Sequence, residues 1–578
     1  MKKLLALITV ICLFSTVKVN ACTNFLITKG ASADGSTMIS YAADSHVLYG
    51  ELYHYPAADY PEGAMRDLYD WDSGRYLGQI PEVRHTYNVV GNMNEWQLAI
   101  GETTYGGLEC LWEGEGLMDY GTLIYISLQR CKTAREAIRN IAELTAQYGY
   151  ISEGESFSIA DTEEVWIMEV IGKGKFGKGM VWVARRIPDG YVSGHANQAR
   201  IQTFPLKGKN VLTSKDFDKF MTNTKVDCIY AEDVISFAKA NNLYVGKDED
   251  FSFSDVYAPV DFSGARGCDL RVWAMFNKVA DGMDAYWDYA TGRDIKRAKP
   301  YVKGQPQTVE NFPSNRMPLW VLPKEKVSVR DMMNFMRDHL EGTELDMSVD
   351  LGAGPFHCPY RWRPMDFEVD GQAYCHERTT ATQQTGFSFV TQSNSQNIPG
   401  MGGIIWFGVD DAASTVYCPM YTTMTEIPLC FREGNGSMME YSETAAFWIF
   451  NQVSNFAYTK YDYIHPEIAE KQDYYEEMWI KETAAFRNKF TEIYDSEGEK
   501  GVMKNLMQYS NSAATNLCAD WKMFYRYLFV KYMDGNVKTV QKKPEGYKYY
   551  APKVEQPKYS DEFYKAIIEQ TGDKLKVY

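Results

Sequence analysis

A strand that begins directly behind Cys22 is the tightest constraint this chain carries. Thr23 to Thr28 reads as a β-strand, Ala33-Asp34-Gly35-Ser36 supplies an Asp-Gly turn, and Thr37 to Tyr41 reads as the returning strand. Upstream, Lys2 and Lys3 form a basic start, and Leu4 to Val17 is a mainly apolar run of fourteen residues. Val19 and Ala21 fill the −3 and −1 positions of a small-residue cleavage site. The run is shorter than the about 17 to 25 residues that a bilayer span needs, so residues 1–21 are expected to be a signal peptide. Cleavage after Ala21 leaves Cys22 with both a thiol and a free α-amine. A thiol titrates near ~8.5 and an α-amine near ~7.7 to 8.0, so the amine is partly unprotonated at neutral pH and can accept the thiol's proton. One residue then supplies the nucleophile and the base of a hydrolytic site. The competing reading is a lipoprotein tethered through an acylated Cys22. Val19-Asn20-Ala21 half fits a lipobox, but a flexible polar tether is expected after a lipidated cysteine; the strand found there favours catalysis.

Charge and hydropathy exclude several partners. The net charge is −16, and loss of Lys2, Lys3 and Lys18 with the signal takes it to −19. Nucleic acid and anionic lipid both require basic surface, so neither is expected. A mean hydropathy of −0.38 and the lack of a second long apolar run argue against a membrane-spanning protein. With 578 residues, 45% of them hydrophobic, the chain exceeds an ordinary single domain.

Strands and helices alternate in blocks. Tyr53 to Tyr87 reads as an irregular aromatic loop over a cleft, and Asn88 to Thr104 as strand. Thr133-Ala134-Arg135-Glu136 is a capping box with Ala137, Ile138, Ile141, Ala142 and Leu144 at helical spacing behind it. Phe157 to Ile171 and Met180 to Ile187 read as a β-hairpin. Their connection, Gly172 to Lys178, has the outline of a phosphate loop, but Gly179 stands where Ser or Thr is required and a strand follows, so a basic turn is expected. Further helices are expected around Val234 and, capped by Ser328 through Asp331, around Met332; strands return from Thr379 to Thr423, and the chain is helical beyond Glu440. The class is α+β.

Eleven cysteines become ten once Cys12 leaves with the signal. Their spacing shows no dense disulfide framework. His357-Cys358 and Cys375-His376 form a mirrored pair, read first as a disulfide and second as buried thiols. Zinc is third, since paired zinc ligands usually stand two or more residues apart. No cofactor or metal is expected.

Several blocks spread over the chain carry a family resemblance. They are Cys22-Thr23, residues 29–38, Asp44-Ser45, residues 94–104, Ile159-Ala160-Asp161, residues 195–201 and Arg271-Val272-Trp273. Residues 337–343, Gln384-Thr385-Gly386-Phe387 and residues 403–408 complete the set. Together they resemble the cysteine dipeptidase family that contains dipeptidase A and, more distantly, secernin. The resemblance implies the four-layer αββα sandwich of the N-terminal nucleophile hydrolases over residues 22–440, with a mainly helical region over 441–578. One departure stands out. Family members typically carry Arg-Asn-x-Asp where this chain has Tyr41-Ala42-Ala43-Asp44, so Tyr41 replaces an arginine of the nucleophile's pocket. Either Arg271 or Arg200 substitutes for it, or the thiol is tuned differently here.

The resemblance also implies roles. Cys22 is the nucleophile and its α-amine the base. Asp44 orients the amine and thiol, or is an ordinary turn aspartate. Asn197 donates to the oxyanion, and Asn94 is a second donor or an ordinary turn residue. Arg271 supplies the missing positive charge or forms a surface ion pair. His195 is expected in the core, since the amine leaves no task for it. From its place at the end of a strand expected to run beside Cys22, Glu102, with Tyr41 in the substrate-binding set, or else Asp44, is expected to bind a substrate's α-ammonium; the alternative for Glu102 is a pair with a neighbouring arginine. The expected activity is that of a secreted or periplasmic cysteine dipeptidase acting on short peptides through a thioester. The alternatives are a non-peptide amide hydrolase of the penicillin V or bile-salt type and a non-catalytic, lipid-anchored binding protein.

Overall fold

The computed structural model describes residues 22–112, 114–361, 365–548 and 550–578. The expected signal peptide, residues 1–21, lies outside them. The main strands in chain order are β1 (Asn24–Ile27), β2 (Met38–Asp44), β3 (Ala99–Gly106), β4 (Gly154–Ala160), β5 (Val165–Gly172), β6 (Met180–Arg186), β7 (Val192–His195), β8 (Thr385–Gln392), β9 (Ile404–Val409) and β10 (Cys418–Tyr421). The main helices are α1 (Tyr120–Arg130), α2 (Ala134–Tyr148), α3 (Leu270–Val279), α4 (Val329–Phe335), α5 (Ala446–Ala457) and the long stretch α6 (Tyr461–Tyr532).

Two large sheets hold the centre. The first has seven strands in the order Trp320–Val321, β7, β1, β2, β8, β9, β10. The second has nine: Val211–Thr213, Cys228–Tyr230, β6, β5, β4, β3 and three short strands ending at His54–Tyr55. They touch where β1 and β2 meet β3 and β4. β1 is buried along its whole length because both its faces are covered. Phe25 and Ile27 join a core shared with α3 to α6, and Phe25 meets Phe335 edge-on at 6.3 Å. Leu26, one residue out of phase, joins the core of the second sheet with Ile39 of β2, on which α1 and α2 pack.

The helix starts follow their sequence signals. Ser328 and Asp331 complete a reciprocal capping box on α4. Thr133 caps α2 through Glu136 N at 3.2 Å, while the Glu136 carboxylate turns back to Lys132 N at 2.6 Å, so only half of the expected box forms. α6 is two antiparallel arms, because Gly498 adopts φ 66° and ψ −166°, a conformation that favours glycine. Glu482 and Tyr509 meet across the arms, as do Lys471 and Asp520. The second arm also covers the open edge of β10: Ser510 Oγ donates to Pro419 O at 2.9 Å and accepts from Tyr421 N at 3.3 Å.

Three expectations are corrected. Phe157 to Ile171 is not one strand, because Asp161 Oδ1 accepts from Glu163 N and Glu164 N and turns the chain, so β4, β5 and β6 form a meander. Within residues 53–87 the chain forms a hairpin, Met65–Tyr69 with Tyr76–Pro81, and short ladders. Cys358 and Cys375 are free thiols: Cys375 closes an exposed hairpin opposite Asp366, while Cys358 follows the turn Leu351–Phe356. The C-terminal part is mainly helical, and Ile464, Trp479 and Trp521 of α6 lie in one core with the first sheet. The Gly172–Gly179 connection is a basic turn whose Lys173 pairs with Asp233 at 2.6 Å. Among the described residues no helix is long and apolar enough to cross a membrane.

Glu476 pins α6 to the sheet. Its side chain is fully buried and accepts from Arg337 Nη2 at 2.5 Å, Tyr417 N at 2.9 Å and Arg330. Breaking such a buried pair from one side costs about 3–5 kcal/mol. Glu476→Gln is therefore expected to lower the urea midpoint by an equivalent amount; a loss under about 1 kcal/mol would show that the arm is held by its apolar contacts alone.

Candidate active site

Cys22 is fixed before its side chain does any chemistry. The flanking Thr23 exchanges both backbone hydrogen bonds with Ala42 of β2, at 3.3 and 3.0 Å, so the residue is clamped to the head of the core strand β1. The thiol is 6% exposed. Its Sγ lies 3.6 Å from Tyr41 Oη and 3.7 Å from Glu102 Oε1, and Tyr41 Oη donates to that same Oε1 at 2.7 Å. Burial, then the charges of Glu102 and Asp44, push the thiol well above its ordinary pKa, against hydrogen bonds from Tyr41 and the Asp44 backbone. At rest it is a neutral thiol that needs a base.

Arg271 reaches Cys22 from the other side. It follows a π-helical turn, Gly264–Asp269, that opens α3. Its Nη1 donates to Cys22 O and to Thr23 Oγ1, both at 2.7 Å, its Nη2 to Asn197 Oδ1 at 2.9 Å and Ala196 O at 3.1 Å, and its Nε to Gly267 O at 2.9 Å. The side chain is fully buried and makes no ion pair among the described residues, which corrects the surface ion-pair alternative. Burial and the nearby Arg378 charge lower its pKa to about 10, so it is still charged at neutral pH. Arg200, the other candidate, sits under β7 instead, against Gly194 O and Asp269.

Asp44 ends β2 beside this group. Its carboxylate accepts from Arg378 Nη2 and Thr385 Oγ1, both at 2.6 Å. Burial raises its pKa, and Arg378 and Thr385 oppose the rise. Arg378 had no sequence signal of its own, since 334 positions separate it from Asp44. A buried carboxylate at a predicted site does call for a cation, and that demand was the one available clue.

Asn197 adopts φ 60° at the end of β7 and holds Thr104 O through Nδ2 at 2.7 Å, so it links Arg271 to β3. Asn94 is elsewhere. Its Nδ2 donates to Leu128 O at 2.7 Å and Cys131 O at 2.8 Å, and its Oδ1 accepts from Trp96 N and Leu98 N. Two donors and two acceptor positions are all a side-chain amide has, so Asn94 has none for an oxyanion. His195 is a satisfied core residue, 2.7 Å from both Thr103 Oγ1 and Ser158 Oγ, with burial lowering its pKa to about 3.

Glu102 belongs to a buried acidic chain. It makes no ion pair among the described residues, so the arginine-pair alternative does not hold. On the neighbouring strand Glu155 stands opposite Thr104, from which its Oε1 accepts at 2.9 Å. The Oε2 atoms of Glu102 and Glu155 are both buried without another hydrogen-bond partner. A proton shared between these carboxyls would satisfy both oxygens. Burial, and for Glu155 the Glu102 charge, raise the pair above the usual carboxylate range, Glu155 well above it. Beside the site opens a cavity of about 930 Å³ whose wall includes Gly267, Cys268, Arg378 and Thr385.

Sequence comparison adds an independent finding. The family model described as Peptidase family C69 matches residues 21–474. A probable dipeptidase of Latilactobacillus sakei is 22% identical over 442 residues, which cover 72% of this chain and 77% of that protein. A probable dipeptidase of Salmonella dublin is 23% identical, covering 73% and 86%. A probable dipeptidase B of Lactococcus lactis subsp. lactis (strain IL1403) is 22% identical, covering 76% and 82%.

The acidic chain has a testable pH signature. Glu155 has a folded pKa raised above the ordinary value of about 4.3. The folded state therefore binds more protons than the unfolded state between those two values, and stability falls as pH rises through that window. Glu155→Gln removes the proton requirement and should flatten this part of the melting temperature–pH curve. Superimposable slopes for variant and wild type would place the proton elsewhere.

Proposed function

The chain belongs to peptidase family C69, and from that premise we propose that it is a dipeptidase with Cys22 as its nucleophile. One observation carries the reading. Cys22 is held by its own carbonyl on a buried guanidinium, while among the described residues no histidine lies within hydrogen-bond reach of its raised-pKa thiol. The base is the α-amine of Cys22, freed by cleavage after Ala21. The amine takes the Sγ proton, the thiolate attacks the scissile carbonyl, and the C–N bond breaks as the ammonium returns its proton to the leaving amine. Water then hydrolyses the thioester by the same route. Arg271 keeps the Cys22 peptide in place, and Asn197, bonded to that guanidinium, is the amide assigned to the oxyanion. Tyr41 takes part of the role of the absent family arginine by hydrogen bonding, without its charge.

The reading extends to fold and compartment. Helices packed on each of two mutually contacting sheets support the αββα layering of N-terminal nucleophile hydrolases. The sequence of residues 1–21 supports export to the periplasm or medium. The substrates are short peptides with a free α-ammonium, bound by the buried carboxylate of Glu102, which makes no ion pair among the described residues.

Mass analysis of the protein from its native envelope is expected to show a chain starting at Cys22 with an unmodified amine; a diacylglyceryl adduct would replace catalysis by anchoring. Cys22→Ala is expected to lose dipeptide hydrolysis by orders of magnitude with the fold intact, and one extra residue before Cys22 to be nearly as damaging. For Glu102, compare a dipeptide with its N-acetyl derivative. Wild type should favour the free amine by about tenfold to a hundredfold, and Glu102→Gln should erase the preference. Equal wild-type rates would reject ammonium recognition, and a preference for a bile-salt-type amide would favour the non-peptide reading.

A further inference from the structure

Among the described residues, the wall of the cavity beside the nucleophile holds one guanidinium that no other residue takes up. Among the described residues three guanidiniums line it. Arg378 is paired with Asp44 at 2.6 Å and Arg361 with Asp350 at 2.8 Å. Arg266 makes no ion pair and no hydrogen bond among the described residues, and its Nε is buried without a partner. No carboxylate of the wall pairs with Arg266 among the described residues: Asp366 and Glu377 line the same cavity without an ion pair to it, and the Glu377 Oε2 atom is itself buried without a partner. Asp410 is taken up by Asn451 at 2.8 Å and Ser454 at 2.5 Å, and Glu344, whose charge is felt from Arg266, is bonded to Arg293 at 2.5 Å.

Arg266 is also close to the chemistry in structural terms. It is the third residue of the π-helical turn Gly264–Asp269, and the next residue, Gly267, gives its carbonyl to Arg271 Nε. That guanidinium's Nη1 holds Cys22 O, so a single planar group separates the cavity wall at Gly267 from the nucleophile's backbone. An extended dipeptide reaches only about 7 Å, a span of this order. Beyond Arg266 the wall turns apolar and aromatic, with Phe262, Phe447 and Trp448.

We propose that Arg266 is the binding residue for the substrate's C-terminal carboxylate, so that the cavity takes free peptide acids with an apolar residue against the aromatic wall. This rests on the dipeptidase reading above and completes it: Glu102 takes one end of the peptide and Arg266 the other. A planar fork of N–H donors matches a carboxylate in two parallel hydrogen bonds. Capture of both termini then sets the preferred length at the separation of the two groups, without a wall that blocks longer chains.

The test compares alanyl-phenylalanine with its C-terminal amide on the mature enzyme, its Arg266→Gln variant and its Arg266→Lys variant, all checked for an unchanged melting temperature. Wild type should favour the acid by about tenfold in kcat/KM, chiefly through KM. Arg266→Gln should bring the ratio of acid to amide near one, and Arg266→Lys should restore part of it. Equal wild-type rates on acid and amide, or an undiminished ratio in Arg266→Gln, overturn the assignment. A second arm measures equilibrium binding of both ligands to Cys22→Ala with and without Arg266→Gln. If wild type cleaves neither ligand, the dipeptidase reading fails on its own. An Arg266-dependent preference for binding the acid still upholds the carboxylate site, and equal binding of acid and amide rejects it.

Discussion

The buried guanidinium of Arg271 is the interaction on which this site depends. A charge taken out of water is tolerated only when its donors are satisfied. Here neutral oxygens do so: the carbonyls of Cys22, Ala196 and Gly267, the Thr23 hydroxyl and the Asn197 amide. These acceptors come from the head of β1, the end of β7 and the π-helical turn before α3. No one of those segments is close in sequence to the others, so the guanidinium is what fixes their mutual position. The left-handed Asn197 and the π turn are local departures from regular structure that this arrangement accounts for.

Charge balance follows from that choice. Arg271 spends its donors on neutral groups, so it does not neutralise a carboxylate, and the acidic side chains near Cys22 find other solutions. Asp44 takes Arg378. Glu102 takes the Tyr41 hydroxyl on the thiol side and has the Glu155 carboxyl, whose pKa burial raises, as its other neighbour. An arginine at position 41 would add a charge beside Glu102. With Tyr41 there, no such charge is added, and the thiol is left without a cation against its sulfur. Such a thiol is a poor nucleophile until an adjacent base removes its proton.

The local parts of this arrangement were legible in the sequence and the long-range parts were not. The strand behind Cys22, the Asp-Gly return and the Ser328 capping box are set by neighbouring residues, and periodicity and turn chemistry found them. Asn197 and Arg271 were found through the family blocks. Asn94 lay in such a block too, yet its amide closes a turn, because Asn before a strand serves a turn and an oxyanion with the same atoms. Arg378 and Glu155 were missed since each matters only through a partner brought up by the fold. The Cys358–Cys375 pair failed for the converse reason: mirrored spacing suggested a bond, but a hairpin that ends in Cys375 carries that thiol away on its own element. Gly498 was overlooked within a run of strong helix formers, where one glycine in a left-handed conformation turns one helix into two.

Burial bears on the choice between anchor and nucleophile. A lipid tether works by leaving the acylated cysteine on a chain free to reach a membrane surface. Cys22 is instead clamped by Thr23 and Ala42 into a core strand, and its sulfur faces a closed polar niche of Tyr41 and Glu102 between two sheets. A diacylglyceryl group on that sulfur has to displace both side chains, and displacing Tyr41 strips the buried Glu102 Oε1 of its hydroxyl donor. The cost falls on the same buried carboxyl pair whose pKa values burial raises. A chain that needed only a tether gains nothing from a buried guanidinium on the carbonyl of the tethered residue, whereas a nucleophile that must meet its substrate in one orientation requires a fixed peptide plane.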